Sequence, residues 1–569
     1  MDPQSDIKRK LSQINREAEE RDAKRRALKL KFPYLDLSTA PLEVDALGLM
    51  SEEAAQHAKS AIIGQKRNDL VVVSYDPGAA EAKKFFDALK AKKFALKISV
   101  VSLAGLEHVW SFYQFIHGAS NEITGKVQIN KAHLEEFHGK LNTLEKAVAE
   151  IQKRILGGLG AGDLLEIFLA SALSLGASDI HLEPENDSVK LRLRLDGLLH
   201  DIFKGIKKED YGLLLSRIKL LSGLKLNIHH ISQDGRFTIG VKEKEVEIRV
   251  SVLPSEYGET VVFRILDPET IQLKLNDLGL RPDDLELVQT ELAKPNGMVL
   301  NTGPTGSGKT TTLYAFLLHV QNPEVKVITI ENPIEYRLPG IEQTQIDEES
   351  GYTFENGLRA IVRQDPDIIL VGEIRDKETA EIAMHASLTG HLVFSTLHTN
   401  DSFGTIPRLI DLGVKPSVLG PALNLIIAQR LVRKLCEKCR KPVAISHEYS
   451  KHIAGFLQKL NSRVNQEDYQ EIKLFEASGC EACGKIGYKG RIAIFEFLRV
   501  DDEISEVIYK EPSEQSIKEA AKKQGVISLQ EDGILKAISG ITTLEEVQRI
   551  TGQIPWLKGS KKSEAESTL

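Results

Sequence analysis

The chain has 569 residues and a mass of 63.2 kDa, a length typical of about four ordinary domains. Hydrophobic residues make up 41% of it and charged residues 27%, and the formal net charge is -7. This composition is ordinary for globular proteins and excludes collagen-like, wholly disordered and small disulfide-stapled chains. The mildly acidic balance gives no support to nucleic acid as the main ligand.

Apolar segments are too short to predict a membrane-spanning helix, which requires about 18 predominantly apolar residues. Residues 98–106 are too few, and residues 163–177 contain Asp163 and Glu166. The N-terminal sequence MDPQSDIKRK has acidic residues and no apolar core, so it is not a secretory signal. We therefore expect a cytoplasmic protein, peripheral to the inner face of the plasma membrane, whose membrane contact is indirect.

The N-terminal part begins with a charged arm, residues 1–31. A solvated helix is the simplest interpretation of this arm, and a partner-docking or lipid-touching segment is the alternative. Residues 32–115 then predict a small α/β module, with a strand over 70–78, a helix over 79–93 and a second strand over 94–102.

Further along, a charged helical run ending at Gly157 and Gly158 predicts a linker helix, and alternation over 189–197 predicts a half-buried strand. From residue 298 onward apolar strands alternate with helices, which predicts a mainly parallel sheet. The predicted segments after the arm are, in chain order, an N-terminal docking module (32–115), a linker helix (116–160), an α+β domain (161–270), a P-loop ATPase core (271–430), a tetracysteine zinc subdomain (431–500), a C-terminal helical region (501–556) and a disordered tail (557–569).

The strongest motif is GPTGSGKT at 303–310, which follows an apolar strand and precedes a helix. Its glycines let the backbone N–H groups face phosphates, and the following helix adds its positive end. Lys309 is predicted to reach the β- and γ-phosphates, and the Thr310 hydroxyl to bind Mg²⁺. A plain glycine-rich turn is the alternative, which the Lys-Thr pair disfavours. The residues expected to contact ATP here are Gly303, Pro304, Thr305, Gly306, Ser307, Gly308, Lys309, Thr310 and Thr311.

Acidic residues end two further apolar strands. Glu373 closes DIILVGE, where a magnesium-bound water needs a carboxylate acceptor. Glu331 and Glu335 lie at the end of another strand, and either one is a candidate to orient the attacking water. His398 follows a third strand and is a candidate γ-phosphate sensor, whereas we expect His391 to be structural.

The four cysteines form two C-x-x-C pairs that are 40 residues apart. A reducing cytosol disfavours disulfides, and each pair is able to present two thiolates to one tetrahedral Zn²⁺. Two pairs argue against a redox motif. The predicted zinc ligands are Cys436, Cys439, Cys480 and Cys483.

Together these motifs resemble those of the secretion ATPase superfamily, specifically the type II secretion and type IV pilus assembly ATPases. The resemblance implies a RecA-like P-loop ATPase domain, preceded by a PAS-like α+β domain and a small N-terminal α/β module. Besides the P-loop and the cysteine pairs, it rests on ASDIHLEP (177–184), QDGRF (233–237), TIENPIE (329–335), RQDPDIILVGEIRD (363–376) and STLHTN (395–400).

The resemblance also assigns roles to individual residues. It makes Glu335 the catalytic base, Glu373 the magnesium-associated Walker B acid and His398 the histidine-box residue. Two positions depart from the family pattern: Asn332 stands where Asp is usual, and Ser232 stands where Pro is frequent.

The resemblance further implies a homohexamer in which Arg236, Arg249 and Arg264 approach the phosphates. Its expected partners are an inner-membrane platform protein and an associated cytoplasmic component, bound by residues 32–115. These residues lack the long repeats with which some relatives bind cyclic di-GMP, so that ligand is not expected.

The expected function is a cytoplasmic hexameric ATPase that powers type IV pilus assembly or type II protein secretion, two roles that these motifs do not separate. A pilus-retraction ATPase is disfavoured by the chain length and the cysteines. A DNA-transfer hexameric motor is disfavoured by the acidic composition. A non-catalytic nucleotide-binding scaffold is disfavoured by the presence of Lys309, Glu335 and Glu373.

Overall fold

The structure, a computed structural model, describes residues 18–37, 40, 42–66, 68–113, 126–128, 143–156, 161–241, 244–267, 273–445 and 447–557. The chain divides into two compact units, Met1–Leu266 and Asp267–Leu569. Each unit is described by itself below.

The N-terminal module of the first unit is built on a short three-stranded sheet. Its elements are α1 (18–30), α2 (Val44–Leu47), α3 (Glu52–His57), β1 (Ser60–Lys66), β2 (Asp69–Ser74), α4 (Ala80–Ala91), β3 (Ala95–Val100) and α5 (Leu103–Trp110). The sheet order is β1-β2-β3, with β1 antiparallel and β3 parallel to β2. Phe85, Phe86 and Leu89 of α4 lie in one buried cluster with Val72 and Val73 of β2. The predicted strand–helix–strand order is confirmed, and β1 is an additional strand.

The second part of this unit is a larger sheet with helices. Its elements are β4 (Lys126–Gln128), α6 (Leu144–Leu156), α7 (Ala161–Leu175), β5 (Asp179–Pro184), β6 (Val189–Leu195), β7 (Leu198–Ile206), α8 (Lys208–Leu221), β8 (Gln233–Val241), β9 (Lys244–Ser255) and β10 (Gly258–Leu266). The sheet order is β4-β8-β9-β10-β5-β6-β7. Residues of β6 alternate between buried and half-buried, as the sequence predicts.

Two elements lie in the segment interpreted as a linker helix, 116–160, whose linking role stays a prediction. α6 lies in its charged helical run, and β4, which the sequence did not predict, pairs parallel with β8. Three residues are too few for an alternating pattern to be recognised, so only α6 was predictable there.

A buried amide is one of the contacts that join the N-terminal module to the larger sheet of the first unit. Asn227, which precedes β8, is 4% exposed. Its Oδ1 accepts a hydrogen bond from the backbone N–H of Leu42 at 3.2 Å, and its Nδ2 donates to the carbonyl of Leu37 at 3.2 Å. Because buried amides are costly unless bonded, Asn227 fixes how these two parts pack together.

The second unit contains the remaining elements. They are α9 (Pro282–Leu292), β11 (Gly297–Thr302), α10 (Lys309–Val320), β12 (Val327–Glu331), β13 (Glu342–Gln345), α11 (Phe354–Ile361), β14 (Ile368–Val371), α12 (Lys377–Leu388), β15 (Leu392–Leu397), α13 (Thr405–Asp411), α14 (Pro416–Ala422), β16 (Leu423–Leu435), β17 (Lys441–Pro442), α15 (His447–Lys459), β18 (Phe475–Glu476), β19 (Tyr488–Arg499), α16 (Asp502–Lys510), α17 (Glu514–Gln524), α18 (Leu529–Ile538) and α19 (Leu544–Thr551).

The central sheet of this unit has the order β13-β12-β14-β15-β11-β16-β19. All neighbouring strands are parallel except β16 and β19, which are antiparallel. The inner strands β11, β12, β14 and β15 are buried along their whole length, as is usual for parallel strands covered on both faces. The predicted parallel sheet is therefore confirmed, and the carboxyl ends of β11, β12, β14 and β15 meet at one edge.

A buried charge network fastens the C-terminal helices to this core. Arg281, just before α9, binds Asp532 of α18 at 2.6 Å and Asp284 of α9 at 2.7 Å. Lys536, one turn further along α18, binds Asp532 at 2.7 Å. Since buried charges are stable only when paired, the network holds α18 in one position.

Among the described residues, no helix is both long and apolar enough to cross a bilayer. The tail predicted to be disordered, 557–569, lies outside the described residues except for Leu557, as do residues 1–17 of the charged arm.

Candidate active site

The GPTGSGKT motif forms the loop between β11 and α10, at the carboxyl edge of the parallel sheet. Gly303, Gly306 and Gly308 all have positive φ, at 151°, 78° and 89°. A Cβ on Gly303 would lie 2.6 Å from the carbonyl oxygen of Gln429, and one on Gly308 would lie 2.9 Å from the Nε2 of the same residue. Both conformation and space therefore require glycine, and the loop can curl as a phosphate cradle does.

Two polar side chains point into this loop. Lys309 is 9% exposed, and its Nζ donates to the carbonyls of Gly303 at 2.7 Å and Pro304 at 3.2 Å. Burial lowers the pKa of Lys309 to about 8, with Glu373 opposing and Arg430 adding to that shift. The buried hydroxyl of Ser307 forms no hydrogen bond within the described part of the chain.

The loop therefore fits a polyphosphate: it offers a cation, a buried hydroxyl without a partner in the described residues, and glycines whose backbone N–H groups no side chain of their own covers. Pro304, Thr305 and Gly306 at its tip are exposed, and Thr310 and Thr311 in the first turn of α10 are half-buried.

Glu373 and His398 come together next to the loop. Glu373 follows β14, and its side chain is 14% exposed. Its Oε1 binds Arg375 at 2.6 Å, and its Oε2 lies 3.5 Å from the Nε2 of His398, which follows β15. Since Glu373 also acts electrostatically on Lys309, the structure brings these three predicted residues to one edge of the sheet.

The other predicted histidine has a different environment. The Nδ1 of His391, just before β15, lies 2.9 Å from the carbonyl of Ala386 and donates to it. This contact fits the structural role expected for His391. His398 is about half exposed, so its imidazole is open to a ligand.

The two acids of the TIENPIE segment differ in their surroundings. Glu331, at the end of β12, is 3% exposed, and its carboxylate accepts hydrogen bonds from Thr329 at 2.6 Å and Gln343 at 3.2 Å, and from the hydroxyl of Tyr314. Burial raises the pKa of Glu331, although these donors oppose the shift. Glu335 lies four residues later and is half-buried. The enclosed carboxylate of Glu331 fits a role in holding β12 and α10 together.

The three predicted arginines lie in one row across the larger sheet of the first unit. Arg236 of β8 stands opposite Arg249 of β9, which stands opposite Arg264 of β10. The row continues through Asp179 of β5 to Arg194 of β6. Asp179 is buried and binds the Nε atoms of Arg264 and Arg194, each at 3.2 Å. Phosphate contact by the three arginines stays a prediction.

The four cysteines form one cluster. Their Sγ atoms all lie within 4.8 Å of one another. Three Sγ–Sγ distances are 3.9 Å for Cys436 and Cys480, 3.7 Å for Cys439 and Cys483, and 3.8 Å for Cys480 and Cys483. Tetrahedral zinc with bonds of about 2.3 Å separates its sulfur ligands by about 3.8 Å. The cluster therefore fits the predicted zinc site.

Backbone donors favour the thiolate form of one cysteine of this cluster, Cys483, whereas burial raises the pKa of Cys436 and Cys439. The N–H groups of Cys480 and Gly487 each lie 3.2 Å from the Sγ of Cys483. Burial alone would raise the pKa of Cys483, but these donors lower it to about 7. A thiolate is the form that binds metal.

Comparison with known proteins identifies the family. The model of the type II/IV secretion system protein family matches residues 162–549. Type II secretion system protein E of Pseudomonas aeruginosa is 45% identical over 388 residues, which are 68% of this chain and 75% of the relative. The chain belongs to the type II/IV secretion system protein family. The resemblance inferred from the sequence is thus confirmed, as is the prediction that the chain is an ATP-hydrolysing enzyme of this family.

A second relative matches a larger share of this chain than the first. The type IV pilus assembly ATPase PilB of Myxococcus xanthus is 35% identical over 522 residues, which are 90% of this chain and 88% of the relative. The X-ray structure of the ATPase DotB of Yersinia pseudotuberculosis has a TM-score of 0.50 and 20% identity, over 68% of this chain and 93% of that one. The latter similarity supports the predicted RecA-like fold.

Sequence reasoning missed four residues that the structure of the secretion ATPase brings to these sites. Gln429 and Arg430 of β16 lie against the P-loop, and Asp179 and Arg194 extend the arginine row. One available signal for Arg430 was a charged residue at the end of the apolar run NLIIAQR, as Glu373 ends DIILVGE.

Proposed function

We propose that this ATPase is a hexamer that hydrolyses magnesium ATP to power type IV pilus assembly or type II protein secretion. Relatives bearing both names support the proposal. The observation that carries the hydrolytic site is the meeting of Lys309, Glu373 and His398 at one sheet edge. A pilus-retraction role is a weaker alternative, because the tetracysteine cluster is not expected there.

In the proposed mechanism, the P-loop N–H groups and Lys309 hold the β- and γ-phosphates. Thr310 and Glu373 would hold Mg²⁺, which supplies charge neutralisation on the phosphates. Glu335 accepts a proton from water as the water oxygen bonds to the γ-phosphorus. The bond from that phosphorus to the β,γ-bridging oxygen then breaks, and ADP leaves with the electron pair. His398 donates a hydrogen bond to the departing γ-phosphoryl group.

The primary experiment measures ATP turnover of the wild type and of Lys309→Ala. We expect turnover by the wild type and a loss of about 100-fold or more in the variant, since removing one preorganised charge costs about that factor. Arg491→Gln, an exposed arginine on β19, serves as a control and should retain full activity. No turnover by the wild type would contradict the enzymatic proposal.

We also propose that Cys436, Cys439, Cys480 and Cys483 hold a structural zinc ion. All four positions of a tetrahedral site are then filled by the protein, so the ion has no open position for catalysis. The Sγ separations support this assignment.

The proposed partners are an inner-membrane platform protein and an associated cytoplasmic component, docked by the N-terminal module, with a cytoplasmic location. Arg236, Arg249 and Arg264 are proposed to approach the phosphates within the hexamer.

Three experiments test these proposals. Light scattering with and without magnesium ATP measures whether the chain forms a hexamer. The identity of a co-purifying membrane protein distinguishes secretion from pilus assembly. Stimulation of turnover by nucleic acid would favour a DNA motor instead.

A further inference from the structure

The strand beside the P-loop carries two polar residues that face the phosphate cradle. In the pairing of β11 with β16, Thr302 stands opposite Ala428, so Gln429 and Arg430 lie level with the start of the loop. Gln429 is 1% exposed, and its Oε1 accepts a hydrogen bond from the Nδ2 of Asn301 at 2.8 Å. This bond orients its Nε2 toward Gly308.

Arg430 is held in place by two carbonyls. Its Nη1 donates to the carbonyl of Gln429 at 3.0 Å, and its Nη2 donates to the carbonyl of Asn400 at 2.7 Å. A Cβ on Gly303 would lie 3.0 Å from Nη1, so the guanidinium is in contact range of the loop. A fork oriented by two carbonyls is preorganised for the next acceptor it meets.

The guanidinium has donors to spare. Two of its five N–H groups are used by these carbonyls, and within the described ranges the other three have no hydrogen-bond partner and the group forms no ion pair. The carboxylates of Asp401 and Glu496 act on it only electrostatically. A half-buried cation without a bonded anion is unfavourable on its own.

The charge of the cradle indicates which kind of ligand the unused N–H groups of Arg430 would bind. Burial lowers the pKa of both Lys309 and Arg430, and Arg430 adds to the shift of Lys309. Because Arg430 disfavours the charged form of Lys309 and burial disfavours both charges, an anion bound between the two cations would stabilise them. A polyphosphate carries the required negative charge, and planar guanidinium matches phosphate oxygens.

We propose that Arg430 is a phosphate-contacting residue, whose unused N–H groups bind a polyphosphate oxygen of the nucleotide held by the P-loop of the same chain. This inference rests on the proposed function, because it assumes that the cradle binds ATP. Arg430 differs from the three predicted arginines in lying on the strand next to the P-loop itself.

The test compares affinities for magnesium ATP and for ADP, measured by titration calorimetry, in the wild type, Arg430→Gln and Arg430→Lys. We expect Arg430→Gln to weaken both affinities about 10- to 100-fold, the range for a hydrogen bond to a charged group. Arg430→Lys keeps the charge and should lose less. Arg491→Gln is the matched control and should bind as the wild type does.

Thermal unfolding without nucleotide separates contact from positioning. If Arg430 only fastened the loop at Asn400, Arg430→Gln and Arg430→Lys would lower the midpoint alike, and affinity would follow stability. That result, or unchanged affinity in Arg430→Gln, would overturn the proposal. If the wild type binds neither nucleotide, both this inference and the proposed function are contradicted. If the wild type binds normally and Arg430→Gln binds with the same affinity, only this inference is contradicted.

Discussion

The phosphate cradle, which lies beside β16, and the cysteine cluster, whose first ligand Cys436 directly follows β16, are built in opposite ways. In the cradle, Ser307 has no bonded partner within the described residues and Arg430 has donors to spare. In the cluster, four thiols face one another at distances that suit one metal ion. The polar groups of the cradle are arranged to bind an incoming ligand. The thiols of the cluster are arranged around one permanently bound ion.

Two arginines three residues apart on β16 show the same contrast. Arg430 donates only to carbonyls. Arg433 binds the carboxylate of Glu546 at 2.7 Å, and its guanidinium lies 4.0 Å from the ring centre of Tyr488. Since both are arginines on one strand, the difference lies in their partners. We therefore infer a functional role for Arg430 from its lack of a bound carboxylate and not from its being an arginine.

The cluster gives the largest expected effect. Cys439→Ser should abolish zinc binding, because one of four ligands is lost, and should cost up to about 10 kcal/mol of the folding free energy of this subdomain. Zinc content by mass spectrometry and the thermal midpoint measure this. Ala482→Ser, which lies between two of the ligands, is the matched control. A wild type that carries no zinc, or a Cys439→Ser variant that keeps it, would remove the proposed metal site.

The two acids after β12 give the next largest effect. Glu335→Gln should lower kcat for ATP about 100-fold or more with little change in KM, as expected when a general base is lost. Glu331→Gln should instead lower the thermal midpoint, at a cost of about 1–3 kcal/mol, because an NH2 group replaces one of the two accepting oxygens. That group then faces either the Tyr314 hydroxyl or the donors of Thr329 and Gln343. A loss of kcat in Glu331→Gln at an unchanged midpoint would reverse the two assignments.

The sequence predicted features whose residues are close together in the chain better than features whose residues are far apart in the chain. The P-loop and the C-x-x-C pairs were predictable because their residues lie within a few positions of one another. The enclosure of Glu331 was not, because its partners come from α10 and β13. Arg430 and the row from Arg236 to Arg194 depend on strand register between distant segments, which local patterns do not encode.

The pH dependence of stability tests whether the carboxylate of Glu546 is stabilised by its two arginine partners. Burial would raise its pKa, but hydrogen bonds from Arg549 and Arg433 lower it from 4.5 to about 2. A carboxylate with a lowered folded-state pKa contributes stability above pH 4.5 that is lost as the pH falls toward 2.

In urea unfolding, Glu546→Gln should therefore be less stable than the wild type at pH 7, by at most about 3 kcal/mol. This gap should narrow below pH 4.5. Glu545→Gln, at the exposed neighbouring position, should show the wild-type profile. A gap that is independent of pH would mean that the charge of Glu546 is not what the two arginines stabilise.

Ser307 gives the smallest effect and the most direct test of an open site. Its buried hydroxyl has no partner in the described residues, so Ser307→Ala should leave nucleotide-free stability unchanged or slightly higher, within about 1 kcal/mol. Magnesium ATP affinity should fall about 3- to 10-fold. Ser387 is the matched control, because it is also buried but donates to the carbonyl of Met384 at 2.8 Å. Ser387→Ala should lower stability by about 1 kcal/mol and leave affinity unchanged. If instead Ser307→Ala lost stability and kept its affinity, the hydroxyl would serve the fold, and the distinction between the open cradle and the closed cluster would not hold at this residue.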